Sequence, residues 1–280
     1  MNFYEVINSK QNRTVIEIGK LLEKKYRDEM GVFRFDGVKL LEEAIKNRLV
    51  LTHVLLQQSR AEEILELIRS RLGAGAIADT TRILVLSDDV FGKISEEKAP
   101  QGVITVAKYI DKIEKNATIY NSNNFSVDIG EQILLLESVR DPSNLGAVIR
   151  TAAAFGTDRL ILSADCADVY NPRTVRAAMG TLFNQHIDYV ESLTQTIGAL
   201  KRSGRRVLAA TLNTDAMRLD GNALQIGDCV VIGNEGHGLS QACIDACGQS
   251  VFIPMSERAE SLNAAVAASI LIWELSKLRT

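Results

Sequence analysis

The chain has 280 residues, a length that allows two domains, and its apolar fraction of 46% and charged fraction of 24% are typical of a globular protein. Its formal net charge of −3 excludes a bulk polyanion binder of the histone-like kind. Any binding of nucleic acid must therefore come from local basic patches on the surface.

The first hundred residues alternate between helical and extended patterns. Apolar residues at helical spacing predict helices over 15–28, 38–47 and 61–72 and a brief helical turn over 90–94. Short apolar runs predict strands over 32–35, 50–56, 83–86 and 103–107. This alternation predicts a small α/β domain over residues 1–108. Its first 48 residues carry ten Lys/Arg against eight Asp/Glu, an excess that fits a solvated helix face and an RNA-facing patch alike.

An Asn-rich stretch with scattered charges then interrupts the pattern and predicts a linker over residues 109–130, centred on 121–128. From residue 131 the alternation resumes with longer elements. Strands are predicted over 133–136, 159–162, 206–210, 229–232 and 250–253, with an edge strand over 186–190. Helices are predicted to end at residue 155, to run from 171 to about 180 and from 192 to 203, to end at 247, and to run from 261 to 277.

Targeting signals and cysteines indicate the cellular compartment and the state of the thiols. Residues 1–10 lack the apolar core of a signal peptide, and no apolar run approaches the ~18 residues that span a membrane, so we expect a cytoplasmic protein. Four cysteines in so long a chain do not form a disulfide scaffold. Cys243 and Cys247 have no second Cys/His pair nearby, so we expect buried, reduced thiols and no metal site.

Three stretches share one arrangement, namely a strand end, a polar or glycine-rich turn, and a helix. They cover residues 141–156, 230–240 and 253–268. Ligands of open α/β sheets bind at the carboxyl ends of the strands. In the first stretch we expect Asn144 in the loop and Arg150 in the helix. The second stretch fits neither the dinucleotide fingerprint nor the P-loop. In the third, Ser261 is a good N-cap residue for the terminal helix.

Together these stretches resemble the SpoU/TrmH family of RNA ribose 2′-O-methyltransferases, within the SPOUT class, over residues 131–280. The first stretch matches the family's pattern at Asp141, Pro142, Asn144, Gly146, Arg150, Thr151, Ala152, Phe155 and Gly156. The second matches at Gly233, Glu235, Gly236 and Gly238, and the third at Ile253, Pro254, Met255, Ser261, Leu262 and Asn263. The resemblance implies a SPOUT α/β domain with a deep trefoil knot and a mainly parallel sheet. The preceding domain resembles the ribosomal-protein-like RNA-binding domains that many members carry.

The resemblance also implies the chemistry and the residues that perform it. S-adenosylmethionine would be the methyl donor, and a ribose 2′-hydroxyl of structured RNA the acceptor. The donor site would comprise Thr211, Leu212, Gly233, Asn234, Gly238, Ile253, Met255 and Leu262. The catalytic set would comprise Arg150, Asn144, Glu235, Ser261 and Asn263. Because an arginine is effectively always charged, we expect Arg150 to stabilise the developing alkoxide or to orient a phosphate rather than to act as a base.

The family's partners complete the expectation. The resemblance implies a homodimer that packs through the C-terminal domain, and Arg173 and Arg176 are candidate contacts to RNA phosphates. Ribosomal RNA is favoured as the substrate by the compact front domain and the net acidity, with transfer RNA as the alternative. A second alternative is a non-catalytic RNA-binding or assembly protein that kept the fold. A dehydrogenase-like enzyme is disfavoured because the dinucleotide fingerprint is absent.

Overall fold

The computed structural model describes residues 4–97, 99–118, 120, 127–213, 215–256 and 258–279. The chain divides into two compact units, Met1–Ile110 with Tyr170–Phe183 and Asp111–Val169 with Asn184–Thr280. The segment Tyr170–Phe183 thus interrupts the stretch that was predicted as one continuous domain over 131–280. Residues 121–126, the centre of the predicted linker, lie outside the described residues, and the predicted domain boundaries stay a prediction.

Up to residue 108 the chain alternates between helices and strands, and it has one strand, at Glu5–Ile7, that was not predicted. The strands are β1 (Glu5–Ile7), β2 (Val32–Asp36), β3 (Leu51–Gln57), β4 (Arg82–Leu86) and β5 (Val103–Lys108). The helices are α1 (Arg13–Lys20), α2 (Lys24–Met30), α3 (Val38–Lys46), α4 (Ala61–Leu72) and α5 (Asp88–Ile94). The five strands form a mixed sheet in the order β1-β4-β3-β5-β2, in which β5 runs antiparallel to both of its neighbours.

The single helix predicted over 15–28 is wrong, because α1 ends at Lys20 and α2 begins at Lys24. A helix end leaves backbone carbonyls without partners. Here the buried guanidinium of Arg27 donates hydrogen bonds to the carbonyls of Leu21 and Leu22, at 2.8 and 2.7 Å. The break between the helices is therefore stabilised by the buried, charged side chain of Arg27.

From residue 113 the elements follow each other to the C-terminus. The strands are β6 (Ile113–Lys115), β7 (Ile133–Leu136), β8 (Arg159–Ser163), β9 (His186–Val190), β10 (Val207–Ala210), β11 (Met217–Arg218), β12 (Cys229–Ile232) and β13 (Ser250–Phe252). The helices are α6 (Pro142–Ala154), α7 (Pro172–Ala178), α8 (Leu193–Arg202), α9 (Gln241–Cys247) and α10 (Ala264–Ser276). The eight strands form one sheet in the order β11-β13-β10-β12-β7-β8-β9-β6.

Every strand pair of this second sheet is parallel, which confirms the mainly parallel sheet. The central strand β7 is fully buried, as expected for a continuous apolar run in a parallel sheet. Leu136, its last residue, pairs with Ile232 of β12 and Leu162 of β8. Because the register aligns these strand ends, the loops that follow them emerge at one edge of the sheet. The predicted edge position of β9 is wrong, since β6 pairs with its outer side at Ile113 and Ile187.

Aromatic packing explains why the segment with α7 belongs to the first unit. The ring of Tyr170 lies 4.7 Å from that of Phe33 and is stacked on that of Tyr109 at 4.1 Å. The ring of Phe183 lies 5.2 Å from that of Phe35. Contacts of this kind between buried aromatic rings add about 0.5–1.5 kcal/mol each beyond the area that they bury. Tyr170–Phe183 therefore completes the core of the first unit.

All four cysteine thiols, Cys166, Cys229, Cys243 and Cys247, are free and buried. Burial raises the pKa of Cys229 to about 11 and the pKa of both Cys243 and Cys247 to about 12, because a thiolate is poorly solvated in the protein interior. Since the thiolate is the nucleophile, such groups are chemically inert. Within the parts of the chain that the structure describes, no group of three or more His, Cys, Asp or Glu residues is placed to hold a metal ion.

We expect the native protein to show almost no reaction with an aromatic disulfide reagent at mildly alkaline pH, and all four thiols to react once the protein is unfolded. Absorbance of the released thiolate measures both states. Fast reaction of one or more thiols in the native state would contradict the burial described above.

Candidate functional site

A cavity of about 310 Å³ opens at the carboxyl edge of the second sheet. It is formed by the segments that follow three adjacent strands, β10, β12 and β13. All eight residues that were predicted to hold the methyl donor line this cavity: Thr211, Leu212, Gly233, Asn234, Gly238, Ile253, Met255 and Leu262. A volume of this size lies at the lower end of the range of about 300–1,000 Å³ that small-molecule sites occupy. The predicted donor residues are therefore neighbours in space, although they come from three separate segments of the chain.

The glycine-rich turn after β12 forms one wall of the cavity. Asn234 and Gly238 are joined by two backbone hydrogen bonds of 3.0 Å, so the chain reverses between them. A Cβ atom at Gly233 would lie 2.3 Å from the backbone carbonyl carbon of Gly238, which leaves room only for glycine. The side-chain oxygen of Asn234 accepts hydrogen bonds from the backbone N–H groups of Gly236 and His237, at 2.8 and 3.3 Å. Glu235 is thereby presented at the exposed side of a fixed turn.

Three predicted catalytic residues form a chain of hydrogen bonds beside this turn. Asn144 donates from Nδ2 to Oε1 of Glu235 at 2.7 Å and accepts at Oδ1 from Nδ2 of Asn263 at 3.0 Å. Oδ1 of Asn263 in turn accepts from the backbone N–H groups of Ala265 and Val266. This chain of side chains ties the turn after β12 to the first turns of both α6 and α10.

Two details of these helix starts differ from the predictions. Asn144 lies inside the first turn of α6, not in the loop before it, because Asp141 caps the helix and accepts from the backbone N–H of Asn144 at 2.8 Å. The residue that caps α10 is Asn263, not Ser261, and the helix begins at Ala264. Ser261 instead lines the cavity.

Arg150 is not joined to this chain of hydrogen bonds. Six residues along a helix correspond to about 9 Å along its axis and about 120° around it. Arg150 and Asn144 therefore lie on different faces of α6. Arg150 is exposed, and among the described residues its guanidinium has no hydrogen bond or ion pair. Its charge is thus available to a ligand that approaches from solvent.

The two arginines predicted to contact RNA phosphates lie on α7, which belongs to the first unit. The guanidinium of Arg176 lies 3.4 Å from the carboxylate of Glu97, and the backbone N–H of Arg173 donates to the helix cap Asn171. Neither arginine lines the cavity. The two arginines therefore belong to a different unit from the predicted donor and catalytic residues.

One polar contact just after the glycine-rich turn was not predicted from the sequence. The carboxylate of Glu137, directly after β7, accepts from the backbone N–H and the hydroxyl of Ser240, at 2.8 and 2.6 Å. Ser240 caps α9. A serine directly before a helix is a recognisable cap signal, but nothing in the sequence indicates a carboxylate about a hundred residues away as its partner.

Comparisons with known proteins agree with this geometry. Residues 131–273 match the SpoU rRNA Methylase family, and residues 12–105 match the MRM3-like substrate binding domain. The chain is 32% identical over 270 residues to the 23S rRNA (guanosine(2553)-2′-O)-methyltransferase RlmP of Bacillus subtilis, covering 96% of this chain and 98% of that protein.

Two solved structures show the same fold over almost the whole chain. One is an rRNA methyltransferase from Sinorhizobium meliloti with AdoMet bound, with a TM-score of 0.78, 26% identity and 98% coverage of each chain. The other is an RNA 2′-O ribose methyltransferase, with a TM-score of 0.79 and 26% identity, covering 98% of this chain and 99% of that one.

Proposed function

Because this chain belongs to the SpoU rRNA methylase family and is an S-adenosylmethionine-dependent RNA ribose 2′-O-methyltransferase, we propose that its substrate is ribosomal RNA. The whole-length similarity to a methyltransferase named for 23S rRNA supports this choice over transfer RNA. The structural observation that supports the methyltransferase activity itself is the hydrogen-bonded chain of Glu235, Asn144 and Asn263 beside the cavity.

The cavity residues fit the proposed donor. Leu212, Ile253 and Leu262 offer apolar surface for an adenine ring, and the turn that begins at Gly233 offers backbone amides and carbonyls. Gly233 admits no side chain, so the backbone itself forms the wall there. Bound S-adenosylmethionine supplies an electrophilic methyl group on a positively charged sulfur, which is a good leaving group. The protein must therefore mainly align the ribose oxygen and assist the loss of its proton.

We assign this second task to Arg150. As the 2′-hydroxyl loses its proton to a neighbouring RNA phosphate or to water, negative charge develops on its oxygen, and a guanidinium with five N–H donors stabilises that charge or orients the phosphate that takes the proton. Asn144, Glu235 and Asn263 would act by position, because their hydrogen bonds hold the start of α6, and hence Arg150, against the donor cavity. Ser261, which lines the cavity, would help to position the nucleotide.

The deciding experiment maps 2′-O-methylation in total RNA from cells with and without this protein. We expect one ribosomal site to lose its methyl group in the cells that lack it. The purified protein should then methylate protein-free ribosomal RNA with radiolabelled donor, and transfer RNA much more weakly. Methylation of transfer RNA alone would favour the alternative substrate. Donor binding without transfer to any RNA would favour the non-catalytic alternative.

For the assembly we propose a homodimer through the second unit, supported by an exposed apolar face on α6 and α10. Val266 and Trp273 lie on α10 at helical spacing and are 48% and 49% exposed. The ring of Trp273 meets that of Phe155, at the end of α6, edge to face at 5.2 Å. Large side chains left this open to water on neighbouring helices are typical of a surface that binds a partner.

We expect Trp273→Glu to convert the dimer into a monomer, because a carboxylate in an apolar interface costs several kcal/mol when it has no partner. Size-exclusion chromatography with light scattering measures the mass. Ile226→Glu is the matched control, since Ile226 is also exposed, at 66%, but lies in the loop before β12. A wild-type protein that is monomeric, or a Trp273→Glu variant that stays dimeric, would contradict the proposed interface.

For the location we propose the cytoplasm, where the protein would encounter ribosomal RNA. Among the helices that the structure describes, none is long and apolar enough to cross a membrane. The first unit would hold the RNA, with Arg173 and Arg176 as phosphate contacts. Its match to a substrate-binding domain supports this role.

A further inference from the structure

Ser138, two residues after the end of β7, has an unusual backbone conformation. Its φ of +54° lies in the left-handed region, which residues with a side chain rarely adopt. Each of its polar groups has a partner. Its backbone N–H donates to Oγ of Ser163 at 2.8 Å, its hydroxyl donates to Oδ2 of Asp165 at 2.6 Å, and its carbonyl accepts from Nδ2 of Asn234 at 2.7 Å. A strained conformation of this kind persists only where the surroundings hold it.

Asp165 closes these contacts into a ring. Its Oδ1 accepts from the hydroxyl of Ser163 at 2.7 Å, and its Oδ2 accepts from Arg140 at 2.9 Å as well as from Ser138. Burial favours a higher pKa, but the hydrogen bonds from Ser138, Arg140 and Ser163 outweigh it and lower the pKa of Asp165 to about 2. The carboxylate is therefore ionised at neutral pH and acts only as an acceptor.

The ring is connected to the turn that carries Glu235. The side-chain amide of Asn234 donates a hydrogen bond to the carbonyl of Ser138, and its side-chain oxygen accepts hydrogen bonds from the backbone N–H groups of residues 236 and 237. The orientation of the Ser138 carbonyl thus sets the orientation of the Asn234 side chain. That side chain in turn shapes the turn whose Glu235 is bonded to Asn144. The strands β12, β7 and β8 are adjacent, which is why their three loops meet here.

We propose that Asp165 is a positioning residue for methyl transfer. It holds Ser138 in the left-handed conformation, and through Asn234 it fixes the turn that presents Glu235 to Asn144 at the start of α6. Asp165, Ser138 and Ser163 do not line the cavity, so they act through other residues. The inference rests on the proposed function, because its kinetic consequence requires that Glu235 and Asn144 serve methyl transfer.

The test begins with Asp165→Ala. We expect kcat to fall roughly 10- to 100-fold, because small displacements of positioned groups cost this much, while KM for the RNA stays nearly unchanged. Arg140→Ala is the matched control. This variant removes Arg140, an exposed partner of Asp165; the side chain of Arg140 is 67% accessible. The hydrogen bonds among Asp165, Ser138 and Ser163 stay intact, so kcat should remain near the wild-type value.

The decisive variant adds Ser138→Gly to Asp165→Ala. Glycine adopts a positive φ without help from a side chain. If Asp165 acts by holding residue 138, the double variant should recover most of the lost kcat. A carboxylate that contacts RNA directly, or acts through its charge, would not be replaced by a glycine at another position. Absence of rescue, or a wild-type kcat in Asp165→Ala, would overturn the proposal.

Hydrogen exchange provides a measurement that does not depend on activity. In Asp165→Ala the backbone amides of residues 138, 236 and 237 should exchange faster than in the wild type, and those of 236 and 237 should regain protection in the double variant. Should Asp165→Ala not fold, Asp165→Asn can be used for the same comparisons, because it keeps the shape of the side chain but loses one acceptor. If the wild-type protein methylates no RNA but these amides respond as expected, the proposed function fails while the positioning of the turn stands.

Discussion

Arg150→Ala is expected to lower the rate of methyl transfer by about 10²–10³-fold, the usual effect of removing one group that stabilises developing charge. Affinity for S-adenosylmethionine should hardly change, because Arg150 does not line the cavity. The loss of an exposed side chain without a hydrogen bond or ion pair among the described residues should also leave the melting temperature unchanged. Single-turnover assays with radiolabelled donor give the rate, and isothermal titration calorimetry gives the donor affinity.

Two further variants make the Arg150 result specific. Arg150→Lys keeps the positive charge but loses the planar fork of donors, so partial activity would indicate that charge is the main contribution. Arg202→Ala removes another exposed arginine, on α8, and should behave as the wild type. Loss of donor affinity with turnover preserved would place Arg150 in the donor site instead.

The second large effect is expected for Gly233→Ala, which should weaken donor binding roughly 10- to 100-fold. The added methyl group would lie 2.3 Å from the carbonyl carbon of Gly238, so backbone must move on the wall of the cavity. Overpacking of this kind costs about 1–3 kcal/mol of folding stability. We expect a loss of similar size in donor binding, because the backbone that moves forms the cavity wall, and each 1.4 kcal/mol is a factor of about ten in affinity. Calorimetric titration with S-adenosylmethionine measures the change directly.

Gly236→Ala is the matched control for this prediction. Gly236 lines the same cavity, but a Cβ atom there would lie 3.4 Å from the side-chain oxygen of Asn234, an ordinary contact that moves no backbone, and Gly236 does not adopt a positive φ. Donor affinity should therefore remain close to that of the wild type. Equal losses in both variants would mean that flexibility of the turn, and not the space beside Gly233, governs donor binding.

The parts of the fold that follow from local physics were predictable from the sequence. The strands β7 and β12 lie where their continuous apolar runs predicted them, because such runs are buried on both faces of a parallel sheet. The resemblance to the family, and not local physics, implied that residues after β10, β12 and β13 form one donor site, and these residues line one cavity. Their role in donor binding stays a prediction.

The features that depend on distant partners were not predictable from one sequence. Ser261 and Asn263 are both residue types that cap helices well. Asn263 is the cap in the structure, and its side-chain amide also donates a hydrogen bond to Asn144, a contact that exists only in the folded chain. The break between α1 and α2 depends on the burial of Arg27. The positive φ of Ser138 depends on Asp165 and Asn234, which belong to other strands' loops. The contacts of Asn263 and Ser138 join segments that lie far apart in the sequence, and the burial of Arg27 is a property of the folded chain that helical periodicity does not show.

The return of Tyr170–Phe183 to the first unit has a consequence for biosynthesis. Domains usually fold from the N-terminus while the ribosome is still adding residues. Here the aromatic core around Phe33 and Phe35 lacks Tyr170 and Phe183 until the chain has been extended to residue 183. By then β7, α6 and β8 of the second unit have already been synthesised. The nascent chain must therefore keep the first unit unfinished, with part of its apolar core uncovered, until more than half of the protein has left the ribosome.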